Sequence, residues 1–415
     1  FRVVVSPCPS RTDARTSGLL HDIAALGIAG VHAVRIDNLY FLSGELDGAA
    51  MEQICQSLLC DPVVETYTWQ ALDGDGSMVV AKPPMGSWVV EVALRPGVTD
   101  SVAESLVRAA QVAGISGLRQ AATGRRYELV GNLEASQVER IARSLLANTV
   151  IQTYTINAPI APPFVPARPP DDTVEVIPLR EADDSELLAI SRARRLSLDL
   201  HEMRAIARHF RQEGRDPTDV ELETLAQTWS EHCVHKTFKA LIDYAEYDSP
   251  DAATPVRRMQ IDGLLRTTIR AATEKADTSW VRSAFVDNAG IVAFDDDFDL
   301  AIKVETHNHP SAIEPFGGAN TGVGGVVRDI LGVSARPIAN TDVLCFGPTD
   351  LPFAALPPGV LHPRRVESGV IAGIEDYGNK MGIPTVNGAV LYDPGYIANP
   401  LVFCGCVGLL PRGAH

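Results

Sequence analysis

Residues 58–69 read LLCDPVVETYTW, and residues 145–156 read LLANTVIQTYTI. Two segments so alike in one chain imply an internal duplication. Upstream, Val3-Val4-Val5 and Val89-Val90-Glu91-Val92 both read as opening strands. The second copy is the clearer. Its pattern predicts a strand over 89–94, a helix over 101–113, short strands over 117–121 and 127–130, a helix over 136–146 and a strand over 150–156. The expectation is two βαββαβ units, at 1–80 and 86–157. Strands with one apolar face need a covering layer, so the copies are expected to pack together as a pseudo-dimer. The rival reading is two unrelated α+β sandwiches that share a strand by chance.

Beyond the repeat, residues 158–170 (APIAPPFVPARPP) hold six prolines. That composition predicts a stiff, extended connector within a linker at 158–183. A helical linker domain is expected at 184–239, broken at Asp216-Pro217-Thr218. Thr218 and Glu221 have capping-box spacing, and Leu222, Leu225, Ala226, Trp229 and Cys233 fall on one inward face. From 240 to 415 the pattern is mixed. Residues 259–273 and 366–377 read as helices, and 300–305, 342–346 and 401–407 as strands. The fold class is therefore α+β. The chain stops just after a strand, which reads as a boundary inside a larger protein.

The bulk numbers bound the function. A chain of 415 residues predicts two to four domains. No run of apolar residues reaches the length of a membrane span, and the first residues do not read as a signal peptide. Seven scattered cysteines, an odd count, fit a reducing cytosol better than a disulfide framework. A net charge of -16 argues against a general nucleic-acid or anionic-membrane binder. It leaves room for a phosphorylated small molecule held by local donors.

Four stretches carry chemistry. In Lys303-Val304-Glu305-Thr306-His307-Asn308-His309-Pro310, strand alternation puts Lys303, Glu305 and His307 on one face. A cation, a carboxylate and an imidazole in a row suit an ATP phosphate, a Mg²⁺ ion and a proton transfer. The plain alternative is a polar edge strand facing water. Residues 315–329 (PFGGANTGVGGVVRD) read as a glycine loop that lets backbone N–H groups approach a ligand, followed by a short helix from about Gly324. Arg328 suits a phosphate or a carbonyl, and Asp329 would join Glu305 on a metal. The alternative is a flexible loop. In Trp229-Ser230-Glu231-His232-Cys233-Val234-His235-Lys236, the histidines stand one turn apart at a helix end. They would line a nucleotide site, join a zinc site, or simply answer the helix dipole. Residues 377–388 read either as a loop over a ligand or as an ordinary helix-to-strand connection. Two further features are read as structural. The acidic run Asp295-Asp296-Asp297 is a solvated turn, and Cys404 and Cys406 point to one buried face as small apolar groups.

Taken together, SEHCVHKTF at 230–238, ETHNHPSAIEPFGGA at 305–319, GGVVRD at 324–329 and GNKMGIPTVNG at 378–388 resemble formylglycinamide ribonucleotide amidotransferase, also called phosphoribosylformylglycinamidine synthase. The resemblance covers about 195 to 415. The duplicated region looks like two fused copies of that family's small accessory subunit, and 240–415 like the N-terminal domain of an aminoimidazole-ribonucleotide-synthetase-like unit. The resemblance implies a cytoplasmic, ATP- and Mg²⁺-dependent ligase of purine biosynthesis that amidates formylglycinamide ribonucleotide with ammonia through a phosphorylated amide. It implies catalytic roles for His232 and His307, ATP contacts for Lys303 and His235, and Mg²⁺ ligation by Glu305 and Asp329. Thr306, His307, Asn308, His309 and Arg328 would contact the ribonucleotide. His235 falls where many single-subunit forms carry tyrosine. The family's second synthetase domain, its degenerate second copy and a glutaminase signature are missing from this sequence. The implied partners are therefore a glutaminase domain or subunit and the C-terminal half of the synthetase, with no nucleic acid and no membrane. The rival functions are a non-catalytic scaffold half that docks a glutaminase and another ATP-dependent member of the same superfamily.

Overall fold

The computed structural model describes residues 1–8, 13–72, 84–165, 172–276 and 278–414. It forms two compact units, Phe1–Ala167 with Asp287–His415, and Arg168–Val286.

The first unit begins with the duplication. Copy one runs β1 (Arg2–Pro7), α1 (Ala14–Ala25), β2 (Val31–Gly44), α2 (Gly48–Ile54) and β3 (Glu65–Gln70). Copy two runs β4 (Ser87–Leu94), α3 (Ser101–Val112), β5 (Leu118–Gly131), α4 (Ala135–Ile141) and β6 (Gln152–Ile156). Ser101 stands to Ala14 as Leu118 stands to Val31 and Ala135 to Gly48, a constant offset of 87 residues. Even the π turns that prolong α2 and α4, Cys55–Leu59 and Ala142–Leu146, keep it. The two short middle strands expected in each copy are joined into one strand of 14 residues. The polar stretch around Gly124 reads like a turn in sequence. In the structure the glycine serves close strand approach, because a Cβ there would stand 2.7 Å from the Val92 carbonyl oxygen.

The two copies share one antiparallel sheet, ordered β3-β1-β2-β5-β4-β6. Pairing of β2 with β5 joins them, and Asn38 lies opposite Arg125, its own counterpart in the repeat. The helices cover one face, and they do so crosswise. Ile23 of α1 shares a core with Val138 and Ile141 of α4, while Met51 and Ile54 of α2 share one with Leu106 and Ala110 of α3. Neither copy has a core of its own. On the opposite face Leu39, Phe41 and Ala93 pack under Ile160 and Phe164. Ile160 belongs to the proline-rich connector, of which 166–171 lie outside the described residues. A buried ionic group is set into this face. Arg2 reaches Glu91 at 2.5 Å, Arg126 reaches Asp37 at 2.8 Å, and Glu91 accepts the Ile160 N–H at 2.9 Å.

The second unit is the helical linker with a hairpin. Its helices are α5 (Asp184–Ala193), α6 (Leu200–Glu213), α7 (Asp219–Thr228), α8 (Glu231–Val234) and α9 (Lys236–Lys239). Capping boxes open α5, α6 and α7, with Thr218 and Glu221 paired as their spacing predicts. Leu187, Met203, Ile206, Phe210 and Leu222 form the core. Cys233 is exposed, not inward, because α7 ends at Trp229 and the apolar stripe ends with it. Residues 259–273 are not one helix. β7 (Leu241–Glu246) and β8 (Arg257–Asp262) pair as a hairpin, and Gly263, at φ +76°, ends the strand before a π turn and α10 (Ala271–Lys275). Strand β9 (Val281–Ser283) follows.

The first unit resumes with β10 (Gly290–Ala293), β11 (Phe298–Thr306), α11 (Asn308–Ile313), α12 (Pro315–Gly332), β12 (Arg336–Phe346), α13 (Pro363–Met381), β13 (Thr385–Tyr392) and β14 (Leu401–Pro411). The strands lie in the order β13, β12, β14, β11, β10. Val323, Val326, Val327 and Ile330 of α12, with Val366 and Val370 of α13, pack on the sheet residues Ala301, Leu344, Val402, Cys404 and Cys406. The other face of β11 is open, and Ile302 and Val304 there are 46% and 44% exposed.

Removing Glu91 strands a buried guanidinium. Glu91→Ala is therefore expected to cost about 3–5 kcal/mol. The check is the urea midpoint followed by tryptophan fluorescence; an unchanged midpoint would contradict a structural role for the pair.

Candidate active site

The glycine-rich stretch is not a loop. Pro315 opens α12 at its first turn, the Glu314 carboxylate caps it by accepting the Gly317 N–H, and the helix runs 18 residues through six glycines. Each glycine weakens an isolated helix by about 1 kcal/mol against alanine. Burial of Ala319, Val323, Val326, Val327 and Ile330 outweighs that propensity. The glycines make space rather than flexibility. A Cβ on Gly318 would stand 2.5 Å from the Ser311 backbone nitrogen, and one on Gly324 would stand 2.8 Å from the Tyr377 ring.

Two of these gaps face β11. A Cβ on Gly322 would lie 3.1 Å from His307 Cβ and 3.2 Å from Cys404 Sγ. One on Gly325 would lie 3.7 Å from a Glu305 carboxylate oxygen. One turn further along, Lys303 Nζ meets Asp329 Oδ2 at 3.0 Å. Residues 303, 305 and 307 thus run along one strip of α12, opposite 329, 325 and 322. The expected row of cation, carboxylate and imidazole is present. It ends where β11 does, with His307 at the N-terminal boundary of α11 rather than inside the strand.

Backbone contacts fix that end. The His307 N–H donates to the Val402 carbonyl at 2.9 Å, and its own carbonyl accepts from the Ser311 hydroxyl at 2.6 Å. Asn308 accepts the Val402 N–H at 2.8 Å, so its side-chain oxygen already ties α11 to β14. His307 Nδ1 is buried and has no hydrogen-bond partner. Glu305, Thr306, His309 and Arg328 are exposed.

Behind the strip lies a polar patch that sequence reasoning missed. Across the sheet, Glu305 pairs with Cys404 and Cys404 with Asp342; in the next row Lys303 pairs with Cys406 and Cys406 with Asn340. Burial raises the Asp342 carboxyl above its ordinary range, against hydrogen bonds from Cys404 and Thr385. The same burial pushes the Cys404 thiol up and the Cys406 thiol up to about 11, so neither acts as a thiolate. Both cysteines are fully buried, as their spacing predicts. Asn340 has neither side-chain atom bonded. The only sequence signal for this patch was Asn340-Thr341-Asp342 at the head of an apolar strand.

The remaining stretches are plain in form. Residues 377–388 are a helix-to-strand connection in which Gly382, at φ +67°, ends α13. It borders a groove of about 630 Å³ that includes Asp342. Asp295 caps its own turn by accepting the Asp297 and Phe298 N–H groups. His232 and His235 belong to the second unit, where both are exposed. Ser230 caps α8, His235 takes the left-handed conformation, and Lys236 pairs with Glu202 at 2.5 Å. Among the described residues no three His, Cys, Asp or Glu side chains gather as a metal site.

Three family models match in order along the chain. The PurS model, described as phosphoribosylformylglycinamidine (FGAM) synthase, covers 1–73 and 87–159. The formylglycinamide ribonucleotide amidotransferase linker domain covers 187–236, and the N-terminal domain of AIR synthase related proteins covers 286–410. The subunit PurL of phosphoribosylformylglycinamidine synthase from Thermoplasma acidophilum is 41% identical over 236 residues, 57% of this chain and 27% of its own length. That of Thermobifida fusca is 40% identical over 198 residues, 48% of this chain and 21% of its own length. Among solved structures, T. maritima PurL complexed with ATP is 33% identical, with 51% of this chain and 27% of that one covered and a TM-score of 0.34. The chain thus spans about a quarter of the length of these relatives.

Sheet, helix and strip define the class of residues 286–410, an AIR synthase related N-terminal domain. With the linker and the duplicated PurS region before it, the chain belongs to the phosphoribosylformylglycinamidine synthase family, with a PurS-like region fused to the synthetase.

Space at Gly322 is what the strip requires. Gly322→Ala is expected to lower stability by about 1–3 kcal/mol through overpacking. Gly332→Ala, with nothing within 4 Å, is expected to raise it by roughly 0.5–1 kcal/mol. Melting temperatures of the two variants check this; equal shifts would refute the packing argument.

Proposed function

We propose that the full-length protein is a synthetase that converts formylglycinamide ribonucleotide, ATP and ammonia to formylglycinamidine ribonucleotide, ADP and phosphate. The observation that carries the reading is the strip itself, Lys303, Glu305 and His307 set against Asp329 beneath a helix thinned by glycine. Relatives studied as T. maritima PurL complexed with ATP and with FGAR support it. The domain division read from the sequence, at 1–80, 86–157, 158–183, 184–239 and 240–415, stands as part of the proposal.

An amide is a poor electrophile. Phosphoryl transfer from ATP to its oxygen makes that oxygen a leaving group; ammonia then bonds to the carbon and phosphate departs with the oxygen. Lys303 neutralises charge on the ATP phosphates, and His235 contributes from the linker. The Lys303–Asp329 pair is only half-buried, so its ammonium can turn to a phosphate without crossing a sealed core. Glu305 and Asp329 would hold Mg²⁺. Two carboxylates completed by phosphate oxygens and water suit that ion, which supplies charge neutralisation at the transferred phosphoryl group. Thr306, Asn308, His309 and Arg328 bind the ribonucleotide. His307, whose buried ring nitrogen has no protein partner, accepts the proton that the nitrogen loses. His232 completes the catalytic set. A glutaminase domain or subunit supplies ammonia, the C-terminal half of the synthetase completes the site, and the protein works in the cytoplasm. The solved PurLQS assembly of Thermotoga maritima supports a multi-component enzyme.

The test follows ADP release by the full-length protein from Mg-ATP and ammonium, with and without formylglycinamide ribonucleotide. Release should require both the ribonucleotide and ammonium; release that ignores the ribonucleotide would sink the substrate assignment. His307→Ala should abolish turnover with the fold intact, and Glu305→Gln should raise the Mg²⁺ requirement. Near-normal turnover in the first, or an unchanged Mg²⁺ dependence in the second, removes that residue's role.

A further inference from the structure

Where the duplicated region meets the synthetase domain, the first unit forms an open-sided cavity of about 770 Å³. None of its lining residues belongs to the strip of Lys303, Glu305, His307 and Asp329. Its walls come from β4, β5 and the π turn after α4 on one side, and from the starts of α12 and α13 on the other. The seam is closed by contacts between the two regions. Asn148 donates to the Ile313 carbonyl at 2.7 Å, Arg364 pairs with Asp22, and Arg365 donates to the Ala147 carbonyl at 3.2 Å.

Two guanidinium groups line the cavity, Arg125 of β5 and Arg365 of α13. Neither forms an ion pair among the described residues, whereas Arg364, next in the chain, has its carboxylate. Burial holds the Arg365 guanidinium below its ordinary range; Tyr127 and Glu314 oppose that shift, and Arg125 adds to it. Glu314 is the carboxylate in the lining, and its oxygen already caps α12 at Gly317. Thr321 and Tyr127 add hydroxyl groups to the wall. The Arg365 guanidinium, desolvated and repelled by the solvent-facing Arg125, is short of counter-charge, which an anion between the two would supply. Guanidinium forks match phosphate oxygens in geometry as well as charge.

We propose that this seam cavity is a binding site for a small phosphate-bearing anion, clamped between Arg125 and Arg365, which strengthens the attachment of the duplicated region to α12 and α13. The space exceeds a bare phosphate and admits a pyrophosphate or a phosphate monoester.

The experiment is calorimetric titration of the full-length protein with inorganic phosphate, pyrophosphate and AMP in separate runs. Arg125 is exposed, so Arg125→Gln should leave the fold intact. Binding of at least one of the three is expected. It should weaken roughly tenfold or more in Arg125→Gln and in Arg365→Gln, recover in part in Arg125→Lys, and persist in Lys303→Gln. Should Arg365→Gln fail to fold, Arg125→Gln decides alone. The site is overturned by absence of binding, by equal affinity in wild type and Arg125→Gln, or by loss of binding in Lys303→Gln alone, which would place the anion on the strip of β11.

Discussion

The synthetase domain rests on one steric condition: β11 and α12 must approach closely while polar side chains lie between them. An ordinary sheet–helix seam is filled by branched apolar groups. Here Val323, Val326, Val327 and Ile330 fill most of it, but Gly322 and Gly325 leave a strip for His307 and Glu305. The helix gives up intrinsic stability at these positions and recovers it through the apolar residues around them. The lysine at the far end is held by Asp329, so the row is positioned in the protein itself.

This condition explains what was legible in the sequence and what was not. Lys303, Glu305 and His307 announce themselves by alternation, and the structure sets them along one strip. The glycines of 317–325 announce a close approach, but not its form. Composition cannot distinguish a loop that nears a ligand from a helix that nears a strand, because both need the missing Cβ. The same ambiguity divided β5 into two short strands, where Gly124 permits continuous pairing. The buried polar patch of Asn340 and Asp342 was hidden for another reason: register between β12 and β14 sets it beside Glu305, and register is a tertiary fact.

The duplicated region shows a like division. Its repeat was visible residue by residue, and even the π turns obey the offset. That the helices cover the sheet crosswise was not visible, since each core draws α1 with α4 or α2 with α3. A repeat that reads as a self-contained unit is thus half of two cores. The shared cores tie the two copies together, so that neither can lose its helices without opening the other.

The pairing of Asn38 with Arg125 carries a further meaning. In an assembly of two identical subunits, a residue on the twofold axis meets its own copy, and one codon sets both sides. An arginine there would face an arginine. Encoding both halves in a single gene lifts that restriction: the amide and the guanidinium can differ, and Asp37 can neutralise Arg126 on one side only. Symmetry then becomes a historical residue of the fold rather than a rule on its sequence. Selection is free to specialise one flank for holding the synthetase while the other drifts toward a different task, and the ratio of the two parts is settled at translation.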